Sequence, residues 1–183
     1  ASASLAMIVT PLAESATRIT TDLTLLELSD LGRPLLRRLA QEAPGTWAHS
    51  LAMASLCESA CNIIGANGLL ARVGCYYHDV GKLANPGFFM ENQAGGPNPH
   101  DEMSPIESAR IIRNHVLDGI VLAAAAGLPV VVKAFIPEHH GTTEITYFLS
   151  RARLLSPDGR VNPADFRYPG PRPQSPESAI AML

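Results

Sequence analysis

A chain of 183 residues suits one domain with a sizeable core, since roughly 70% of the unfolded surface is buried at this size. The formal net charge is −3 and the basic residues are scattered, so there is no cationic stripe of the kind that binds a long nucleic acid. The 3 cysteines, Cys57, Cys61 and Cys75, form no disulfide or zinc-finger pattern, which argues for a reducing compartment and for packing as their role.

In chain order, Leu5-Ala6-Met7-Ile8-Val9 is apolar but lacks the basic flank and the length of a signal peptide. Leu31 to Ala43 is predicted as an amphipathic helix with Leu35, Leu36 and Leu39 inward, stopped by Pro44-Gly45. Thr46 is expected to cap the next helix, Trp47 to about Ile64, with Leu51, Leu56, Ala60 and Ile63 near helical spacing and His49 in the first turn. A third helix, Leu69 to about Val80, groups Leu70, Val73, Gly74 and Tyr77 and delivers His78 and Asp79 in its last turn, where Gly81 can end it.

Gly, Pro and Asn then dominate Asn85 to Pro105, the composition of a long ordered loop or lid. Ser104-Pro105-Ile106-Glu107 has the capping-box pattern and starts the helix that carries His115. The uncharged stretch Ile120 to Val132 is too short to cross a membrane and is broken by Gly127 and Pro129. Pro137 is expected to kink or end a helix on Val131 to Ile136 and so turn His139 and His140 toward one site. A helix from Glu144 to about Leu154 precedes a Pro-, Gly- and Arg-rich excursion, Ser156 to Pro176, containing Arg160, Arg167 and Arg172.

The chemistry lies in an ordered set: His49, then His78-Asp79, then His115, then His139-His140, five of the 6 histidines. Neutral imidazole and carboxylate suit Fe, Mn or Zn, and so many donors point to more than one ion. Adjacent helical residues diverge by about 100°, so His78 and Asp79 can serve different sides, and the two oxygens of Asp79 make it the natural bridge.

The order His, His-Asp, His, His-His resembles the HD-domain metal-dependent phosphohydrolases, and more narrowly the cytoplasmic domain of seven-transmembrane HD proteins that act as cyclic di-AMP phosphodiesterases. The resemblance runs from about Thr21 to Leu183. It is carried by Thr21-Asp22-Leu23-Thr24-Leu25-Leu26-Glu27-Leu28, Glu42-Ala43-Pro44-Gly45-Thr46, Tyr76-Tyr77-His78-Asp79-Val80-Gly81-Lys82, Asn98-Pro99-His100-Asp101, Glu138-His139-His140-Gly141-Thr142-Thr143 and Phe166-Arg167-Tyr168-Pro169-Gly170-Pro171.

The resemblance implies an all-α helical bundle whose residues 29–183 form the domain, with residues 1–28 as a juxtamembrane lead-in. It implies two divalent transition metals, Fe or Mn, one held by His49, His78 and Asp79 and the other by Asp79, His115, His139 and His140. Asp79 and Lys82 are expected to be catalytic, with Lys82 near the phosphate. Two such cations can polarise a phosphodiester and activate water for in-line attack. His100 is open between loop ordering and substrate contact. Arg151, Arg153, Arg167 and Arg172 are open between solvated surface and contact with a dianionic dinucleotide, and Arg167 is carried forward as the candidate.

Members of the family place a further aspartate soon after the helix near Ser175-Pro176-Glu177 to complete the first metal's shell, and the sequence reaches Leu183 before it. This predicts a truncated domain, and Leu5 to Leu12 then reads as the end of a transmembrane helix of a multi-pass bacterial membrane protein whose cytoplasmic part, the present chain, is soluble and open to homo-oligomerisation. Alternatives from the sequence are a cyclic di-GMP or other nucleotide phosphohydrolase, and a non-catalytic sensor of metal or cyclic dinucleotide in membrane signalling. Gly141-Thr142-Thr143 after the paired histidines departs from the cyclic di-GMP group.

Overall fold

Proline and asparagine set the helix starts, and small residues set how closely the helices approach. The computed structural model describes Val9 and residues 19–93, 95–157 and 159–183. The expected juxtamembrane run Leu5 to Leu12 therefore lies, apart from Val9, outside the described residues. The helices are α1 (Asp22–Leu28), α2 (Pro34–Glu42), α3 (Pro44–Ile63), α4 (Gly68–Tyr77), α5 (Pro105–Ala125), α6 (Val130–Lys133), α7 (Phe135–Glu138), α8 (Thr146–Leu155) and α9 (Pro176–Met182). Among the described residues there is no β-strand, only one isolated antiparallel bridge between Glu144 and Arg167, so the architecture is all-α as expected. No helix among them is long and apolar enough to cross a membrane.

The main core unites Leu25 and Leu28 of α1 and Leu36 and Leu39 of α2 with Val73 and Tyr77 of α4, Val116 of α5 and Ile136 of α7. Tyr77 is fully buried, and its hydroxyl donates to the Leu28 carbonyl at 3.0 Å, which ties α1 to α4. Leu35 is only partly buried beside this core.

The start and the face of α3 both differ from the sequence expectation. Pro44 opens the helix directly after Ala43, because a missing N–H costs nothing in the first turn. Thr46 therefore sits inside the helix, fully buried, rather than capping it. The buried face is Thr46, Ser50, Ala54, Cys57 and Cys61, while Leu56 and Ile63 are exposed. Small side chains on this face let α3 and α4 approach closely, and Cys57, Cys61 and Cys75 pack there with Ala54, Ala71 and Phe135 as an apolar cluster.

Asn67 caps α4 by accepting from the Leu70 N–H at 2.9 Å, and the helix ends at Tyr77, so His78 and Asp79 fall just past it rather than in its last turn. Gly81 is not the stop. A Cβ on Gly81 would lie 1.7 Å from the His115 carbonyl oxygen and 2.5 Å from Gly119 N, so glycine is there to let the 3-10 turn Val80–Ala84 press onto α5. The capping box of α5 forms as expected between Ser104 and Glu107.

The loop after Asn85 is ordered by the 3-10 turns Pro86–Phe88, Met90–Asn92 and Pro99–Glu102. The helical run before His139 divides at Ala134, because Pro137 has no N–H to donate to Lys133 one turn back. The final excursion contributes Phe166 and Tyr168 inward and Arg167 outward, the alternation of extended chain, with Ile145 N and Tyr168 N donating to Phe166 O and Thr143 O.

Candidate metal centre and the cleft beside it

Four elements converge on the Asp79 carboxylate. The end of α4 supplies His78 and Asp79, α3 supplies His49, α5 supplies His115, and the turn after α7 supplies His139 and His140. His49, His78 and Asp79 offer donor atoms within 4.8 Å of one another, and so do Asp79, His115, His139 and His140. Asp79 belongs to both sets. Residues separated by up to 91 positions in sequence are thereby brought together in the grouping expected from sequence (140 − 49).

Backbone carbonyls fix the ring orientations. His78 Nδ1 is 2.7 Å from Cys75 O, His115 Nδ1 is 2.6 Å from Ile112 O, and His139 Nδ1 is 2.8 Å from Ile136 O. A carbonyl only accepts, so Nδ1 carries a proton in each ring, and in the neutral tautomer Nε2 is left as a lone pair. These Nε2 atoms point at the centre: His115 and His139 stand 3.4 and 3.5 Å from Asp79 Oδ1, and 3.3 Å from each other.

Electrostatics complete the case for a cation. Burial pulls the His115 imidazole down to about 4 and His140 down to about 2, and lowers His139 as well, so these rings are neutral at physiological pH. Burial alone would raise Asp79, but the charges of His78 and Lys82 hold its carboxyl well below the usual carboxylate range. Asp79 Oδ1 is buried with no hydrogen-bond partner among the described residues. Lone pairs facing an unpaired carboxylate oxygen are repulsive unless a positive charge sits between them, and a divalent cation fits this donor chemistry.

His78 behaves differently. Burial lowers its affinity for a proton, but Asp79, with Oδ2 at 3.2 Å, and the Cys75 carbonyl raise it above the ordinary value. His49 is the exposed member, with 46% of its side chain accessible and Nε2 4.0 Å from Asp79 Oδ2. The first set therefore opens to solvent and the second is enclosed. His140 stacks on Tyr168 with centroids 4.0 Å apart and planes at 16°.

Lys82 Nζ lies 2.9 Å from Asp79 Oδ2 and 2.7 Å from Glu91 Oε1, and 5.1 Å above the Phe89 ring centroid. Burial opposes its charge, but the two carboxylates overcome this and raise its pKa. Glu91 is the residue that sequence reasoning missed. It also accepts from Thr46 Oγ1 at 3.0 Å, and Asn92 accepts from Thr46 N at 3.0 Å, so the loop itself caps the first turn of α3. A Cβ on Gly45 would fall 1.8 Å from Glu91 O, which shows how tightly the loop is seated. The available signal was composition: Glu91 is the only Asp, Glu, Lys or Arg between Lys82 and Asp101.

His100 and Arg167 lie apart from the donor sets. His100 is buried with Nε2 2.9 Å from Phe88 O, so it orders the loop, and its ring stands between Phe88 and Phe148 with centroids 5.4 and 5.0 Å away. Arg167 is half-exposed and engaged at 2.7 Å with Glu144. Beside the centre, a cleft of about 380 Å³ is lined by Phe88, Phe89, Gln93, His100, Tyr147 and Phe148 among others. Glu177 accepts from Asn67 N at 2.8 Å and so fastens α9 to the start of α4.

Comparison with known proteins gives these donors a context. The HD domain family matches residues 46–183. The chain belongs to the HD-domain family. This HD domain is 48% identical over 179 residues to an uncharacterized protein of Synechocystis sp. and 43% identical over 173 residues to the cyclic-di-AMP phosphodiesterase PgpH of Bacillus subtilis. Those alignments cover 96% and 94% of this chain but only 22% and 24% of the relatives, so the chain spans less than a quarter of their length. The crystal structure of the Listeria monocytogenes phosphodiesterase PgpH HD domain in complex with cyclic-di-AMP matches with a TM-score of 0.79 at 44% identity, covering 84% of this chain and 71% of that one. The His/Asp cluster is thus set in a fold whose members are metal-dependent phosphohydrolases.

Proposed function

We propose that this HD domain is a two-metal phosphodiesterase that hydrolyses cyclic di-AMP to a linear dinucleotide. The observation that carries the reading is the Asp79 carboxylate, shared by two donor sets and left with one buried oxygen unpaired. The substrate is supported by the names of the relatives, PgpH of Bacillus subtilis and the Listeria HD domain with cyclic-di-AMP bound.

In this reading His49, His78 and Asp79 would hold one divalent ion and Asp79, His115, His139 and His140 the other, with Fe or Mn the fitting choices. Such ions, when bound, supply Lewis acidity toward a phosphodiester and lower the pKa of a coordinated water. The protein's own contribution is geometric and electrostatic. The carbonyl-held rings keep three Nε2 atoms aimed without reorganisation. Lys82, kept charged by Asp79 and Glu91, offers an ammonium to a non-bridging phosphate oxygen from the open side of the centre. Glu91 and Thr46 hold that lysine and its loop in place. Addition of one water across one phosphodiester breaks a phosphorus–ribose oxygen bond, leaving a terminal phosphate and a free hydroxyl.

Within the longer protein, we place the domain as residues 29–183 of a cytoplasmic part, with residues 1–28 as a juxtamembrane lead-in. The apolar run Leu5-Ala6-Met7-Ile8-Val9 and the greater length of the relatives support this, and fractionation of the full-length protein tests it.

The test of the activity is hydrolysis of cyclic di-AMP beside cyclic di-GMP with Mn or Fe supplied, comparing the unmutated chain with a His78→Ala, Asp79→Ala double variant. Cleavage favouring cyclic di-AMP and abolished in the variant is the expected result. Absence of cleavage of either dinucleotide by metal-loaded protein would refute the proposal.

A further inference from the structure

His140 is the exception among the enclosed donors. The rings of His115 and His139 are each held at Nδ1 by a backbone carbonyl, whereas among the described residues no carbonyl meets a ring nitrogen of His140. Its ring is bounded by other rings instead. Tyr168 stacks on it with centroids 4.0 Å apart and planes at 16°, His139 lies at 4.0 Å and 44°, and His115 stands edge-on at 5.2 Å. Of these three neighbours, Tyr168 alone belongs to neither donor set.

The backbone explains why a tyrosine from the final excursion reaches this point. Residues 166–168 run antiparallel to the stretch just past His140, with Ile145 N donating to Phe166 O at 2.8 Å and Tyr168 N donating to Thr143 O at 2.9 Å. Extended chain alternates its side chains, so Phe166 joins the cluster of Ala109, Leu149 and Ala152, Arg167 turns out to Glu144, and Tyr168 returns onto His140. The chain beyond is seated as well, since a Cβ on Gly170 would meet the Thr142 methyl at 2.9 Å. The contact is made by the ring. Unlike the hydroxyl of Tyr77, that of Tyr168 has no hydrogen bond among the described residues.

An imidazole with no carbonyl on Nδ1 can turn about its Cβ–Cγ bond, where the torsional wells are broad, and such a turn carries the lone pair away from its target. A nearly parallel ring at stacking distance blocks that turn. We propose that Tyr168 is a positioning residue of the metal centre, the plate that holds His140 in the plane turning a ring nitrogen toward Asp79, His115 and His139. The inference deepens the proposed function and rests on its metal centre, not on the identity of the substrate. It gives the Pro-, Gly- and Arg-rich excursion a task that a backbone carbonyl performs for the other buried rings.

The experiment is titration of metal-free protein with Mn, followed by calorimetry and by the electron paramagnetic resonance signal of free Mn. A His49→Ala background breaks the open donor set and leaves the enclosed one to be measured by itself. In that background Tyr168→Leu is expected to weaken Mn binding by roughly tenfold to a hundredfold, the usual cost of losing a group that orients a ligand, whereas Tyr168→Phe stays within about twofold. Tyr168→Met, which also lacks a ring, is measured in parallel and carries the test if the leucine protein does not fold. Adding His140→Ala closes a double-mutant cycle: a residue that acts through His140 costs nothing further once that imidazole is gone. Unchanged affinity in the leucine and methionine proteins overturns the proposal, as does a loss in Tyr168→Phe equal to theirs, or a loss that persists in full beside His140→Ala. Mn binding by the His49→Ala protein with no response to Tyr168 overturns this inference alone, and absence of Mn binding overturns the metal centre with it.

Discussion

Replacing Gly81 by alanine is the sharpest test of how the centre is built. The added Cβ would meet the His115 carbonyl oxygen at 1.7 Å, the His115 carbonyl carbon at 2.8 Å and Gly119 N at 2.5 Å. All three are backbone atoms of α5, so no side chain can swing away, and relief requires α5 and the Val80–Ala84 turn to separate by more than about 1 Å. Overpacking of this kind costs about 1–3 kcal/mol, and contact with backbone on two residues places Gly81→Ala at the upper end. For a chain of this length, about 3 kcal/mol lowers the melting temperature by about 6–12 °C. The same movement carries His115 away from Asp79 Oδ1, now 3.4 Å distant, so the variant should also hold less metal. Differential scanning calorimetry and metal analysis on the purified chain measure both. Gly87→Ala is the control, because a Cβ there meets nothing within 4 Å. A Gly81→Ala protein that melts within about 2 °C of the unmutated chain and binds metal equally would refute the packing argument.

Two further outcomes follow from the charges and hydrogen bonds. In metal-free protein, His115 is lowered to about 4 and His140 to about 2, so below pH 6.5 the unfolded chain takes up protons that the folded chain does not. Each such imidazole removes up to about 1.4 kcal/mol of stability per pH unit, and His78, shifted upward, offsets part of this. Urea midpoints should therefore fall as pH drops from 6.5 toward 4, whereas a midpoint that is flat or rises on acidification would contradict the buried neutral histidines. Glu91→Ala removes the bonds to Lys82 Nζ and Thr46 Oγ1, which together contribute on the order of 2 kcal/mol to the local closure of the loop. Hydrogen exchange at residues 88–92 should quicken by roughly 30-fold while α4 amides stay protected, and equal exchange in both proteins would show that Glu91 does not fasten the loop.

Local signals in the chain determined more of the site than of the helix faces. The string His49, His78-Asp79, His115 and His139-His140 pointed to a site for more than one cation with Asp79 as the bridge, because metal chemistry restricts ligands to few residue types, and the family resemblance divided it into two donor sets. The capping box at Ser104 and Glu107 was equally legible, since its bonds close within three residues. Tertiary contact decided the rest. Leu56 and Ile63 had the spacing of a buried stripe, yet α3 buries Ala54, Cys57 and Cys61 because α4 packs too close for leucine. Thr46 looked like a cap and instead binds Glu91 and Asn92, forty-five and forty-six positions away. Glu91 and the aromatic cleft carry no local pattern, because their roles arise from a folded-back loop meeting the carboxylate neighbourhood. A sequence lists which groups can bind a cation. Only the fold decides which of them lose water, which carbonyls aim their rings, and which charge is held beside them.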